Sequence, residues 1–280
     1  MLELLNGLTV GLPPGDPLYV RRMVAQGLTV PTRTTQTTRV LAQGILRVWD
    51  APHAGPPTLL AGDSSLGYYG TIGSGAFVDG LSLAQAIGLS AGTSDDLNQS
   101  PDWFKCAYQG EIIYIPKTPL RAAISWDNIY SAGACGSTVK SGSFGSTVAQ
   151  DATVVIGGST YEVRLLKSGA VAYASGGDVN ISEMSVGDYG ETEHIFTKLV
   201  GVHPDGNQWG EFDPVDLKVG HSGNNYATGT WLMELPSSNS TDAGILSSDG
   251  TPTSMKIPFR SSADSAAYRA WRPVLVYIPE

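Results

Sequence analysis

Charge is scarce in this 280-residue chain: only 15% of its residues are charged, and 17 basic residues against 26 acidic ones give a formal charge of −9. A protein that grips duplex nucleic acid presents a basic face to the phosphates. No cluster of Lys or Arg forms one here, so nucleic acid is set aside as a partner. Apolar runs are short. None reaches the roughly 18 residues of a membrane span, and Glu3 stands where a secretory leader needs basic residues. The expectation is synthesis in a cytoplasm without a signal peptide, and no membrane insertion. Cysteine is nearly absent. Cys106 and Cys135 are too few for a disulfide framework and lack zinc-site spacing, which leaves two reduced thiols packed as small apolar groups, a bond between them being the alternative. Heptads and collagen-like repeats are missing too, so the pattern does not dictate an oligomeric state.

What the chain has in quantity is Gly and Pro, 34 and 17 residues, which favours turns and short strands over long helices. The strongest local signal runs from Trp103 to Gly136. Trp103–Tyr108 and Glu111–Ile115 are aromatic and β-branched around Gln109-Gly110, the pattern of a buried hairpin with a tight turn. Pro116 and Pro119 then take the chain out of the sheet. Ser125 is a helix-capping hydroxyl, and Trp126, Ile129 and Tyr130 share one face of the short helix that follows. Thr153–Leu166 reads as a second hairpin over Gly157-Gly158, with Val163 and Leu165 on one side and Glu162, Arg164 and Leu166 on the other. Ser82–Ile87 and Glu191–Leu199 are further helical stretches, the latter with Ile195, Phe196 and Leu199 inward. Before residue 60, Asn6–Val10, Gln26–Val30 and Gln43–Val48 each pair a turn with a short strand, and Thr32–Thr38 has little to bury. That predicts a β arm or meander that needs a neighbour, either another copy of the chain or a different subunit.

Read together, these anchors resemble a family of tailed-bacteriophage virion proteins. The residues that carry the likeness are Trp103, Gly110, Ile115-Pro116-Lys117, Ile124-Ser125-Trp126-Asp127, Tyr130, Gly157-Gly158 and Tyr161–Leu166, then Trp209, Asp216-Leu217, Thr230-Trp231, Glu234 and the final Trp271-Arg272-Pro273-Val274-Leu275. The likeness begins near Gly62. The N-terminal arm lies outside it. The chain is expected to be a mainly β (α+β) protein, with the N-terminal β arm for attachment and oligomerisation over residues 1–60, an intermediate β-rich unit with short helices over 61–136, and, as the resemblance implies, a C-type-lectin-like domain over 137–280. That domain would be an antiparallel sheet with one or two short helices and long loops, closed by the last strand. The function implied is a structural tail-fibre or tail-tip component that anchors in the particle and serves host attachment. Alternatives are a purely architectural baseplate, neck or capsid-decoration subunit and a glycan-degrading tail enzyme. Implied partners are other copies, other virion subunits and a host-surface glycan or protein. Thr192-Glu193-His194-Ile195 stands where the family commonly has Ser-Glu-Trp-Asn.

Catalytic patterns are thin. His53, His194, His203 and His221 fall in or near polar segments, and Gly220-His221-Ser222-Gly223 lacks the spacing of a nucleophile elbow. Asp178 with Glu183 and Asp213 with Asp216 are the nearest paired carboxylates, as glycan hydrolysis requires. Neither Glu-Pro-Asn nor Gln-Pro-Asp occurs, so calcium-dependent sugar binding, a metal and a cofactor are not expected. The expectation is no enzyme. The candidate binding surface is a set of loop residues mixing flat rings with amide and guanidinium donors: Asn224, Asn225, Tyr226, Arg260 and Tyr268. Trp231, which lies near them in sequence, is read as core.

Overall fold

Gln109 and Gly110, at φ +50° and +85°, make the two-residue turn with both φ positive that matches the twist of a hairpin. The computed structural model describes residues 37–41, 44–48, 54–94, 100–136, 148–169, 179–210, 212–219, 229–233, 242–267 and 269–279. The chain divides into two compact units, Met1–His53 and Ala54–Glu280. In the first, β1 (Thr37–Leu41) and β2 (Gly44–Val48) pair as an antiparallel hairpin. The remaining expectations for the arm lie outside the described residues.

In the second unit the strands are β3 (Ala61–Gly62), β4 (Leu66–Ile72), β5 (Thr93–Ser94), β6 (Trp103–Tyr108), β7 (Glu111–Pro116), β8 (Arg121–Ala122), β9 (Thr153–Ile156) and β10 (Ser159–Arg164), followed by β11 (Val179–Asn180), β12 (Gly229–Trp231), β13 (Asp242–Leu246), β14 (Lys256–Ile257), β15 (Phe259–Ser261), β16 (Arg269–Trp271) and β17 (Val274–Ile278). The helices are α1 (Gly80–Ala86), α2 (Trp126–Ser131) and α3 (Glu191–Leu199). A seven-stranded sheet runs β3-β4-β6-β7-β17-β10-β9 and is antiparallel throughout. A six-stranded sheet runs β15-β13-β12-β16-β8-β5, with β12 and β16 parallel and the other pairs antiparallel. The protein is thus mainly β with short helices. Strands from residues 61–136 and from 137–280 hydrogen-bond into one sheet, because β17 pairs with β7 on one side and β10 on the other.

Alternation along β6, β7 and β17 sends Phe104, Cys106, Ile113, Ile115, Val274 and Val276 to one face, where they meet Ile195, Phe196 and Leu199 of α3 in the main core. The opposite face is an aromatic layer: Phe77 packs on Trp103, Tyr114 and Tyr161 at ring distances of 5.2, 4.9 and 5.7 Å. Here the segment after His53 lies across the sheet. Tyr114 donates its hydroxyl to the Ala54 carbonyl at 3.1 Å, and the buried Lys105 ammonium donates to that of Pro56 at 2.8 Å. The stem of α2 is cross-tied to β12 by two tryptophans. Trp126 donates its indole N–H to Leu232 O at 3.0 Å, and Trp231 donates its own to Ile124 O at 2.7 Å. Ser125 caps α2, accepting from Asn128 N while Asn128 Oδ1 accepts from Ser125 N, the reciprocal capping box.

The Trp271–Leu275 ending is divided between the two sheets. Trp271 ends β16 in the six-stranded sheet and Val274 starts β17 in the seven-stranded one. Pro273, with no N–H to give a ladder, sits at the crossing between the sheets. Cys106 and Cys135 are both free and buried. Among the described residues no helix is long and apolar enough to cross a membrane.

Candidate functional site

Polar side chains gather most densely around α3. Its sequence, ETEHIFTKL, puts acids in the first turn and Lys198 in the last, complementing the helix dipole, while Ile195, Phe196 and Leu199 form the inward stripe. Yet Glu191, Thr192, Glu193, Thr197 and Lys198 are buried as well, so each needs a partner. Glu191 takes the guanidinium of Arg164, at the end of β10, with Nη1 to Oε1 at 3.0 Å and Nη2 to Oε2 at 2.6 Å. Burial pulls the Arg164 pKa down, but the carboxylate against it holds the guanidinium above its ordinary value. The sequence reading set Arg164 on the face opposite Val163 without assigning it a partner; that face is roofed by α3, and the pair is sealed beneath it.

Glu193 turns the other way, accepting from Gly190 N at 2.9 Å, from Gly169 N at 3.0 Å and from the Ser168 hydroxyl. Burial raises its pKa against the pull of those hydrogen bonds. Two backbones meet there with no space for a side chain: a Cβ on Gly169 would run into Asp188 O, and one on Gly190 into the Ser168 carbonyl carbon. Glycine at both positions is what lets the carboxylate reach two chain segments at once.

On the outer side of α3, His194 and the 3% exposed His203 stack with ring centroids 5.3 Å apart and Nδ1 of the first 3.0 Å from Nε2 of the second. His203 Nδ1 lies 2.5 Å from Asp205 Oδ1, and Lys198 Nζ donates to the same oxygen at 2.7 Å. At Nδ1 of His203 the Asp205 carboxylate, 2.5 Å away, lies closer than the Asp205 N–H, at 3.3 Å, so that nitrogen is assigned the hydrogen, Nε2 accepts, and His194 Nδ1–H is the donor of the pair. Tyr189 meets both rings edge-on at 5.3 and 5.7 Å, and Tyr108 approaches His194 at 6.4 Å. Burial, then the neighbouring His203, then Lys198 lower the pKa of His194; burial and then Lys198 lower that of His203. No three His, Cys, Asp or Glu among the described residues converge on a metal position.

Beside the pair lies a cavity of about 120 Å³ lined chiefly by Ile181, Tyr189, Val202, Pro204, Pro252 and Met255. The Val202 and Pro204 wall belongs to the turn that carries His203. Gly201 at φ +78° and Gly206 at φ +74° bracket that turn.

Of the surface predicted from sequence, Asn224, Asn225, Tyr226 and Tyr268 lie outside the described residues. Arg260 is exposed on β15 and donates Nη1 to the Phe259 carbonyl at 2.6 Å. Trp231 is fully buried, as expected of core. Asp213 and Asp216 close a turn, Asp213 N–H donating to the Asp216 carboxylate at 3.2 Å, while Asp178 and Gly220–Gly223 lie outside the described residues. His194 and His203 escaped sequence reasoning because they stand nine apart, outside any periodic pattern. The one signal was Gly201 and Gly206 flanking Val-His-Pro-Asp just past a helix.

Compared with models of protein families, with curated proteins and with solved structures, the chain finds no match in any of the three.

Proposed function

We propose that the chain is a non-enzymatic structural subunit of a tailed bacteriophage, a tail-fibre or tail-tip component that presents a C-type-lectin-like domain for host attachment and anchors through its N-terminal arm. The observation that supports this reading best is the position of β17. A final strand set between β7 and β10 closes the large sheet, as the resemblance of the Trp271–Leu275 ending implies, within a unit, Ala54–Glu280, distinct from Met1–His53. Loops on such a scaffold are where recognition is built.

A second reading, an architectural subunit with no receptor, draws on the row Val155, Thr160 and Ile278 across β9, β10 and β17. Val155 is 68% and Ile278 38% exposed there, an apolar strip suited to subunit packing. The test is adsorption of the purified protein to host bacteria alongside proteomics of purified particles. Presence in particles and adsorption lost in Tyr226→Ala/Arg260→Ala supports attachment. Presence without adsorption supports the architectural reading, and absence from particles, or release of reducing sugar from host polysaccharide, overturns the proposal.

A further inference from the structure

The turn from Gly201 to Gly206 is tied to α3 mainly through titratable groups. His203 bonds His194, Asp205 bonds Lys198, and Lys198 Nζ also donates to the Gly206 carbonyl at 3.2 Å; the backbone adds Val202 N to Thr197 O at 2.9 Å. Both flanking glycines hold positive φ and a Cβ on either would meet nothing within 4 Å, so the apolar hold on the turn comes from Val202, which rests against the main core, and not from its ends. Val202 and Pro204 on this turn line the cavity together with Pro252 and Met255.

We propose that residues 201–206 are a proton-operated lid on this cavity, closed while the His194–His203 pair holds at most one excess proton and released when both rings are charged. The reason is a count of hydrogens. In the neutral pair His194 Nδ1–H donates to His203 Nε2, and His203 Nδ1–H donates to Asp205. A first added proton goes to His194 Nε2 and leaves both bonds intact. A second has only His203 Nε2 to occupy, where it would face His194 Nδ1–H head-on across 3.0 Å. Two donors at that separation repel, and the stack must part.

The groups facing the pair make that outcome harder to avoid. Lys198 stands on the same helix, Asp205 on the turn, Tyr189 comes from the segment before α3, and Tyr108 comes from β6. Glu193, next to His194 in sequence, spends its carboxylate on Gly190 and Gly169. Asp205 is already matched by Lys198, so a doubly charged pair has no spare carboxylate among these neighbours. Burial lowers the proton affinity of both rings, so release belongs below the ordinary histidine value of about 6.5.

Hydrogen exchange of the full chain, corrected for intrinsic rates, tests this at pH 7 and pH 5. Between them, protection at Val202 and Gly206 should fall by about tenfold or more while Ile195, Phe196 and Leu199 stay protected. In His194→Gln, whose amide pairs with His203 but takes no proton, both positions should stay closed at pH 5. Unchanged protection in the native chain, equal opening in His194→Gln, or loss of protection throughout the molecule each overturns the lid. Should His194→Gln not fold, imidazole nitrogen shifts of the native protein decide the matter. Two well-separated protonation steps support a shared proton, and coincident independent titrations refute it.

Discussion

Arg164 and Glu191 face each other inside the protein with two parallel hydrogen bonds, 3.0 and 2.6 Å, and side chains 2% and 0% exposed. A pair of this kind contributes little relative to apolar residues of the same size, because desolvation of both ions offsets their attraction. Removing one member is another matter. Arg164→Met should cost about 3–5 kcal/mol by leaving the carboxylate buried alone, and Arg164→Met/Glu191→Leu should recover most of that in urea unfolding.

Arg272 offers the opposite case. It is fully buried, its guanidinium rests over the Phe196 ring at 5.0 Å, it donates Nη2 to the Leu217 carbonyl, and its Nε and Nη1 have no hydrogen-bond partner among the described residues. Burial lowers its proton affinity, with no carboxylate among the described residues acting against it. Arg272→Met, which keeps the length and drops the charge, should therefore raise stability by about 1–4 kcal/mol, read as a higher urea midpoint with an unchanged slope.

Lys105 gives a pH dependence with a definite sign. Burial brings its pKa from 10.5 down to about 8, so between pH 8 and 10.5 the unfolded chain holds the extra proton and the Lys105 contribution to stability rises with pH. Measured against Lys105→Met, the native protein should gain about 1–2 kcal/mol between pH 8 and 10. The buried thiols of Cys106 and Cys135, raised from 9.0, act in the reverse direction above pH 9, and the buried tyrosines, Tyr108 among them at about 12, above pH 10; the comparison with Lys105→Met cancels both.

The two cysteines should be silent until the fold opens. Burial pushes both thiols upward in pKa, with Glu191 adding to the effect at Cys106 and Asp127 at Cys135. A thiol reagent should label neither in the native state at pH 8 and both in guanidinium without reductant. One labelled site before unfolding would show a path to solvent.

The two principal hairpins and all three helices were legible in the sequence because each rests on local chemistry. Gln109-Gly110 and Gly157-Gly158 set turns, Ser125 caps α2, and the Ile195, Phe196 and Leu199 stripe marks α3. What escaped was everything decided by distant chain. Arg164 could be set on the face of β10 away from Val163, but its partner, a carboxylate of α3 27 positions on, could not be read from the strand. His194 and His203 meet only because Gly201 reverses the chain after Leu199. The break between Trp271 and Val274 depends on two sheets that no single stretch specifies. Pro273 was the local sign of it, and its meaning came from the strands on either side.

The location of β17 also sets an order of events during synthesis. Residues 111–116 and 159–164 emerge from the ribosome with an open slot between them, and the strand that fills it, Val274–Ile278, is translated about 110 residues after the second. Until it arrives the nascent chain displays two unpaired edges, each a template for a neighbouring nascent copy. Slow translation or dense polysomes should therefore favour strand-exchanged aggregates of this protein over its correctly closed form.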